Sequence, residues 1–327
     1  MPEEPGMKLI IQIPCYNEGG TLAVALAELP REIPGIDKIE WLVIDDGSTD
    51  NTVKVARENG VDHIVRHHSN LGLAQAFLTG LAAALEEGAD IIVNTDADNQ
   101  YRAADIPALI APILEGRAQY VIGTRPVSEV RHFSPVKKFL QKLGSSVVRK
   151  ISGTKVADAP SGFRALTRDA ALRMNVFNSY TYTLETIIQA GNKHIPIECV
   201  PVRVNPDLRP SRLVKSIPRY VQRSIFTIIR ICVVYRPFKF FFSIGLVFFC
   251  AGFMLGCRFF VRWLAGNGHG MTQSLILAAI LMIIGTVFGM MAFIADLLSV
   301  NRQLLEDIQY RQRRFRYDRR GRRCRAK

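Results

Sequence analysis

From residue 8 onward, short continuous apolar runs alternate with segments whose apolar residues recur at helical spacing. KLIIQIP, ended by Pro14, reads as a strand buried on both faces, since a half-exposed strand would interleave polar residues. Asn17 to Gly20 leads into a helix over Thr21–Leu29. IEWLVIDDGSTD is a second buried strand that runs into Asp, Gly and Ser, and Thr52–Asn59 is helical. HIVRHH is a short strand, and Gly72–Glu87 is a long Ala-rich helix. DIIVNTDADNQ is a strand that ends in carboxylates, Ile106–Glu115 is a helix, and AQYVIGTR is a further strand. This β-α-β-α order predicts an open parallel sheet with helices on both faces. Ligands of such sheets bind beyond the carboxyl ends of the strands.

The pattern changes after residue 208. Phe240–Cys257 is uncharged for 18 residues and Met271–Ala295 for 25. Each suffices to cross about 30 Å of hydrocarbon as a helix. The connection, Arg258–Gly270, is short and holds Gly266, Gly268 and Gly270, so the two runs read as a helical hairpin with both chain ends on one side. Ahead of them, Arg212, Lys215, Arg219, Arg223 and Arg230 recur at mostly helical spacing among Leu213, Ile217, Tyr220, Val221, Ile225 and Ile229. That is the layout of amphipathic helices lying on a membrane surface. Pro218 and Pro237 are expected to break or bend them. The expected organisation is an α/β domain over 1–208, amphipathic juxtamembrane helices over 209–237, two transmembrane helices over 238–298 and a basic tail over 299–327.

Composition supports this and adds direction. Hydrophobic residues make up 48% of the chain and mean hydropathy is +0.12, above an ordinary soluble domain; with 22% charged residues, disorder is excluded. The net charge of +13 is concentrated: Arg302–Lys327 holds eleven basic and three acidic residues, and Arg209–Lys239 eight basic and no acidic ones. Both lie on the side of the chain ends, against only Arg258 and Arg262 in the connection. The positive-inside rule then places both termini in the cytoplasm, in a cytoplasmic or ER-type membrane. Directly after a membrane span, anionic lipid headgroups are the cheaper partner for such a tail, and nucleic acid is not expected. The short hairpin also favours a homo-oligomer such as a tetramer. The six cysteines form no Cys-x-x-Cys, so neither a disulfide framework nor a zinc site is expected, as suits a reducing compartment. The start, MPEEPGMK, has no signal-peptide layout.

Five polar clusters fall at strand ends or in the loops after them: Pro14–Glu18, Asp45–Asp50, Asn70–Gly72, Asp96–Gln100 and Gly123–Arg125. Any one alone is ordinary turn chemistry. Together they converge on one rim. Asp96 and Asp98, two apart at a strand end with Gln100 nearby, can reach one hard cation, Mg²⁺ or Mn²⁺, and leave positions open for phosphate oxygens. A lone Asp-x-Asp reads more simply as a turn, but Asp45 and Asp46 on the same rim would add to its repulsion. A metal or hydrogen-bond donors are therefore expected there. Walker and G-x-G-x-x-G cradles are absent from the sequence.

Pro14-Cys15-Tyr16-Asn17-Glu18, Asp45-Asp46-Gly47-Ser48-Thr49-Asp50, Asn70-Leu71-Gly72, Asp96-Ala97-Asp98-Asn99-Gln100 and Ser161-Gly162-Phe163-Arg164 occur in this order. The set resembles the inverting family 2 glycosyltransferases of GT-A fold. With the hairpin, the chain is similar to the polyprenyl-phosphate glycosyltransferases, the branch with dolichyl-phosphate mannose synthase and the bacterial GtrB type. The resemblance implies a mixed, mostly parallel sheet and transfer of one sugar from a UDP- or GDP-sugar to a polyprenyl phosphate. It places Pro14, Tyr16 and Glu18 at the base and ribose, with Asn70 and Gly72 on the same donor side. Asp45 and Asp46 match the base-recognising acidic pair, Asp46 taking the base N–H. Asp96, Asp98 and Gln100 match the metal site. Arg125 matches a basic residue facing the acceptor phosphate, where Lys137, Ser211 and Arg212 are also expected. Asp158 and Ser161–Arg164 match the surroundings of the attacked sugar carbon, with Asp158 or Glu185 as a candidate base. Arg212 replaces the family's lysine in Ser-Lys-Leu, which keeps the charge and changes its phosphate geometry.

Two rivals are weighed against this. A processive polysaccharide synthase would carry Q-x-x-R-W and more spans; here Arg262-Trp263 is preceded at that distance by Phe259. A non-catalytic membrane scaffold would have no need of the intact acidic clusters.

Overall fold

The computed structural model describes residues 6–125, 135–176, 182–205, 217–266 and 272–325; within these, the side chains of 135–143, 217–221, 223, 224, 228 and 318–325 lie outside the description. The chain packs as two compact units, Met1–Ser224 with Glu306–Lys327, and Ile225–Leu305.

The first unit is built on a seven-stranded sheet: β1 (Lys8–Cys15), β2 (Lys38–Asp45), β3 (His63–Arg66), β4 (Ile91–Asn94), β5 (Tyr120–Thr124), β6 (Arg164–Thr167) and β7 (Ile197–Pro201), in the order β3-β2-β1-β4-β6-β5-β7. The helices are α1 (Leu22–Glu28), α2 (Thr52–Glu58), α3 (Leu73–Glu86), α4 (Ile106–Leu114), α5 (Pro135–Ser152), α6 (Arg168–Arg173) and α7 (Thr183–Asn192). β1 to β4 run parallel, as the uninterrupted apolar runs require of strands covered on both faces. Seven of eight residues are buried in both β1 and β2. Pro14 is tolerated in this central strand because pairing with β4 stops at Gln12 opposite Asn94, so its missing N–H breaks no ladder bond on that side.

The all-parallel order read from the β-α-β-α pattern breaks at one place, in line with the mixed sheet that the family resemblance implies. β6 is antiparallel to both β4 and β5, giving a mixed, mostly parallel sheet. The reversal brings the beginning of β6, at Arg164, to the margin where β4 ends at Asn94. One core beneath that margin joins Leu9, Ile11 and Ile13 of β1, Val43, Val93, Val121, and Leu109 and Ile110 of α4.

The last segment of the chain belongs to this unit. Glu306 pairs with Lys193 at 2.9 Å, the Tyr310 hydroxyl donates to Asp169 Oδ1 at 2.7 Å, Arg313 Nη1 donates to the Met174 carbonyl at 2.8 Å, and Arg168 Nη2 to the Tyr317 carbonyl at 3.2 Å.

The second unit holds most of α8 (Ile217–Tyr235), α9 (Pro237–Leu264) and the first part of α10 (Thr272–Arg325). Pro218 falls in the first turn of α8 and Pro237 is the first residue of α9, where proline's missing N–H costs nothing. Both α9 and α10 are long and apolar enough to cross a bilayer, with 11% and 17% of their most apolar windows buried. They meet along Gly245, Gly252, Ala278 and Gly285. A Cβ at Gly252 would stand 2.7 Å from the Ala278 carbonyl oxygen, and one at Gly245 2.8 Å from that of Gly285. Small residues thus let the two backbones touch, while Val247, Phe253, Met254, Ile283, Met290 and Phe293 point outward and exposed.

Candidate active site

The loops after β1 and β2 are stitched together. The Asn17 N–H donates to Ser48 Oγ at 2.9 Å, Glu18 N–H to Thr52 Oγ1 at 2.9 Å, and Gly19 N–H to Asp50 Oδ2 at 3.0 Å. Asn17 sits at φ 54 and its side-chain oxygen accepts from the Thr49 N–H at 2.9 Å, which compensates the left-handed backbone. Gly47, at φ 74, presses on the next loop: a Cβ there would lie 2.5 Å from the Ser69 carbonyl carbon. Pro14 is buried in this wall, Tyr16 is exposed at its edge, and Glu18 is turned to Thr21 Oγ1 at 2.8 Å.

The acidic pair divides its work. Asp45 is completely buried, accepts from the Ser48 N–H at 3.1 Å and pairs with Arg66 Nε at 3.1 Å. Asp46 organises the loop that holds Asn70 and Gly72. Its Oδ1 accepts from the Leu71 N–H at 2.9 Å and lies 2.7 Å from His67 Nδ1, and its Oδ2 accepts from the Gly72 N–H at 2.9 Å. The other nitrogen of His67 is 3.0 Å from Thr79 Oγ1 on α3.

After β4 comes the Asp-x-Asp. Burial, then the neighbouring Asp98 carboxylate, push Asp96 up to about 7, although the guanidinium groups of Arg125 and Arg164 pull the other way. Asp98 Oδ1 accepts from the Gln100 N–H at 3.2 Å. Asn99, between them, is at φ 57 and donates to Glu28 Oε1 at 2.9 Å. Gly162 passes directly beside Asp96, where a Cβ would stand 2.9 Å from Oδ2; only glycine leaves that carboxylate room.

Across from it, Arg125 and Asp158 form a buried bidentate pair: Nε donates to Oδ2 at 2.8 Å and Nη2 to Oδ1 at 3.1 Å. Burial opposes the charge on Arg125, but Tyr101, Asp158 and Asp96 outweigh it and raise its pKa. Arg125 Nη1 also donates to the Gln100 side-chain oxygen at 3.3 Å, so Gln100, expected on the metal, faces the arginine here. Both oxygens of Asp158 are occupied by Arg125, which makes it an anchor for that side chain. Glu185 is buried in the first turn of α7.

The rim thus gathers Asp96, Asp98, Gln100, Arg125 and Asp158 in one linked group, and Asp45, Asp46, Asn70 and Gly72 in a second. Ser211 and Arg212 lie outside the described residues; Lys137 falls in α5, and its side chain lies outside them. Sequence reasoning missed His67 and Arg66, because a histidine or arginine beside a turn carries no pattern. Within the Ser161–Arg164 segment, the Arg164 side chain is fully buried beneath the rim.

An open mixed sheet with acidic loops on one margin, closed by a buried arginine–aspartate pair, defines a nucleotide-sugar transferase of GT-A fold. The chain belongs to glycosyl transferase family 2, whose sequence model matches residues 10–173. It is 31% identical over 213 residues to the UDP-N-acetylglucosamine–dolichyl-phosphate N-acetylglucosaminyltransferase of Methanococcus voltae, covering 58% of this chain and 83% of that protein. It is 26% identical over 209 residues to the polyprenol monophosphomannose synthase of Mycolicibacterium smegmatis, covering 61% and 77%. Glucosyl-3-phosphoglycerate synthase from Mycobacterium tuberculosis, solved with Mn²⁺, UDP and glucosyl-3-phosphoglycerate, shares the fold at TM-score 0.52 and 20% identity, over 68% of this chain and 80% of that one.

Proposed function

We propose that the protein transfers a single sugar, with inversion, from a UDP- or GDP-sugar to a polyprenyl phosphate, undecaprenyl or dolichyl, at the cytoplasmic face of a membrane. The product is a lipid-linked sugar donor for glycan or protein glycosylation. The observation that carries this reading is the opposition of the Asp96/Asp98 carboxylates to the Arg125–Asp158 pair on one rim, in a chain with two bilayer-length apolar helices. The acceptors named for the relatives support it.

The residues fit a divalent cation, Mg²⁺ or Mn²⁺. Burial and the Asp98 carboxylate raise Asp96 to about 7, and a cation shared by the two carboxylates would offset both effects. The described residues hold no group of three or more His, Cys, Asp or Glu arranged for a metal, so the site is a two-carboxylate one, the kind that substrate phosphates complete. Asp96 and Asp98 would hold the ion, which supplies charge neutralisation at the departing diphosphate.

The chain's own residues do the rest. The Pro14–Glu18 and Asp45–Asp50 loops, with Asn70 and Gly72, bind the nucleotide. The acceptor phosphate oxygen attacks the anomeric carbon as the bond to the diphosphate breaks, the electron pair leaving on the diphosphate. That oxygen is already anionic near neutrality, so no strong base is needed. Among the described residues, Arg125 uses three of its five N–H donors on Asp158 and Gln100, which leaves two for an acceptor phosphate oxygen. Lys137, Ser211 and Arg212 would add to that side. Anionic headgroups against residues 209–239, and association of copies, complete the proposed setting.

The test is transfer of labelled sugar by the purified full-length protein, with Mg²⁺ or Mn²⁺, in the presence and absence of polyprenyl phosphate. Formation of a lipid-extractable, phosphate-linked sugar is expected. Transfer to free sugar or to a growing polysaccharide instead would reject the reading.

A further inference from the structure

Arg164, the first residue of β6, has a fully buried guanidinium. Its hydrogen bonds go to neutral oxygens: Nε to the Ser161 carbonyl at 2.7 Å, Nη2 to the Ala159 carbonyl at 2.8 Å, and Nη1 to the Thr183 carbonyl at 2.9 Å, to Thr186 Oγ1 at 2.7 Å and to the Tyr120 hydroxyl. The rings of Tyr120 and Tyr182 lie 5.7 and 5.5 Å from its central carbon, within cation–π range. Its charge bears on the Asp96 carboxylate, but its hydrogen-bond partners among the described residues are all neutral, and a buried charge held in this way is expensive. What the arginine does that an apolar residue cannot is bind carbonyl oxygens of one particular loop.

That loop, 158–162, has a site residue at each end. Asp158 begins it and grips Arg125. Gly162 ends it beside Asp96, and is held from two further sides: its N–H donates to the Tyr101 hydroxyl at 2.9 Å, and its carbonyl accepts from Asn94 Nδ2 at 2.8 Å. Arg164 binds two of the three carbonyls between these ends, those of Ala159 and Ser161, and ties them to the first residue of α7.

We infer that Arg164 is a positioning residue that locks the 158–162 loop, so that the acceptor-side Asp158–Arg125 pair and the metal-side Asp96 carboxylate keep their spacing during transfer. Fully buried, it touches no substrate; it acts through the loop, and its charge also favours the ionised Asp96. This rests on reading the rim as the transfer site.

The experiment uses the full-length protein in detergent with the variants Arg164→Lys and Arg164→Met, each alone and combined with Asp158→Asn. Hydrogen exchange of the 158–162 amides should accelerate by about tenfold or more in both variants, while the Leu71 and Gly72 amides, held by Asp46, exchange as before. In transfer assays kcat should fall by about 100-fold with the nucleotide-sugar KM within about threefold. Added to Asp158→Asn, Arg164→Met should cost less than about threefold more, because both disable the same lock. Independent, multiplying losses would overturn the inference, as would exchange that accelerates everywhere alike or nowhere. Should Arg164→Met fail to fold, Arg164→Lys decides by the same comparisons. A wild-type protein without transfer activity would sink the functional reading, while the exchange pattern would still decide whether Arg164 locks the loop.

Discussion

Burial and the Asp98 carboxylate raise Asp96 above its ordinary pKa of 3.8 to about 7, and this has a cost in stability as well as a use. A carboxyl that binds its proton more tightly when folded weakens the fold as pH rises from about 4 to about 7, where the unfolded chain has already released the proton. Asp96→Asn should therefore raise the melting temperature of the metal-free protein by a few degrees at pH 8, with the gain fading as pH falls toward 4, and should abolish transfer. Thermal scans across that range check it, and an unchanged or lower midpoint at pH 8 would refute the carboxylate repulsion. Asp98→Ala should cut transfer by about 1,000-fold or more and leave the midpoint within a degree or two. Retained activity would remove Asp98 from the chemistry. The acidic residues were legible because several polar clusters, each of them alone ordinary turn chemistry, fall at strand ends that share one rim. Which of their oxygens are spent internally was not legible. The three contacts on Asp46 come from His67, Leu71 and Gly72, far along the chain and unmarked by any pattern.

Secondary structure was readable wherever burial imposed a period. β1 and the Ala-rich α3 lie within a residue of their expected bounds, and β2 and β4 start within one residue but end at Asp45 and Asn94, before the polar residues that the expected strands ran into. The direction of β6 was not readable, since four residues of a buried strand look alike in either sense. The charged tail hides a second feature for a related reason. Composition shows eleven basic residues from Arg302 onward and suggests a face for lipid, but Glu306, Tyr310, Arg313 and Tyr317, spaced four, three and four, form one helical stripe against α6, α7 and Met174. Only the period of a few uncharged or acidic residues within it could have hinted at that. The Glu306 and Lys193 side chains are 7% and 24% exposed, so Glu306→Ala leaves a partly buried ammonium poorly paired and should cost about 1–2 kcal/mol. Denaturant melts of the full-length protein measure this. A loss below about 0.3 kcal/mol would mean the stripe is only adjacent.

At the scale of the whole molecule, the charge of +13 predicts a salt-sensitive surface. Contact of the 209–239 region with headgroups would show as stronger protection of its amides from hydrogen exchange in anionic than in zwitterionic vesicles, with the difference collapsing at about 0.5 M salt, where screening acts over a few ångströms. Equal behaviour in both vesicle types would remove headgroup charge from the proposal. The reversal of β6 has a consequence of its own. The chain leaves the rim after Thr124 and returns to that same rim at Arg164, so everything between is an excursion that begins and ends at fixed posts. Between those posts, from the residue after Arg125 to the one before Asp158, the sequence can lengthen or change without touching the Arg125–Asp158 pair or the Gly162 that borders Asp96, which gives evolution a place to change the recipient while leaving the donor alone.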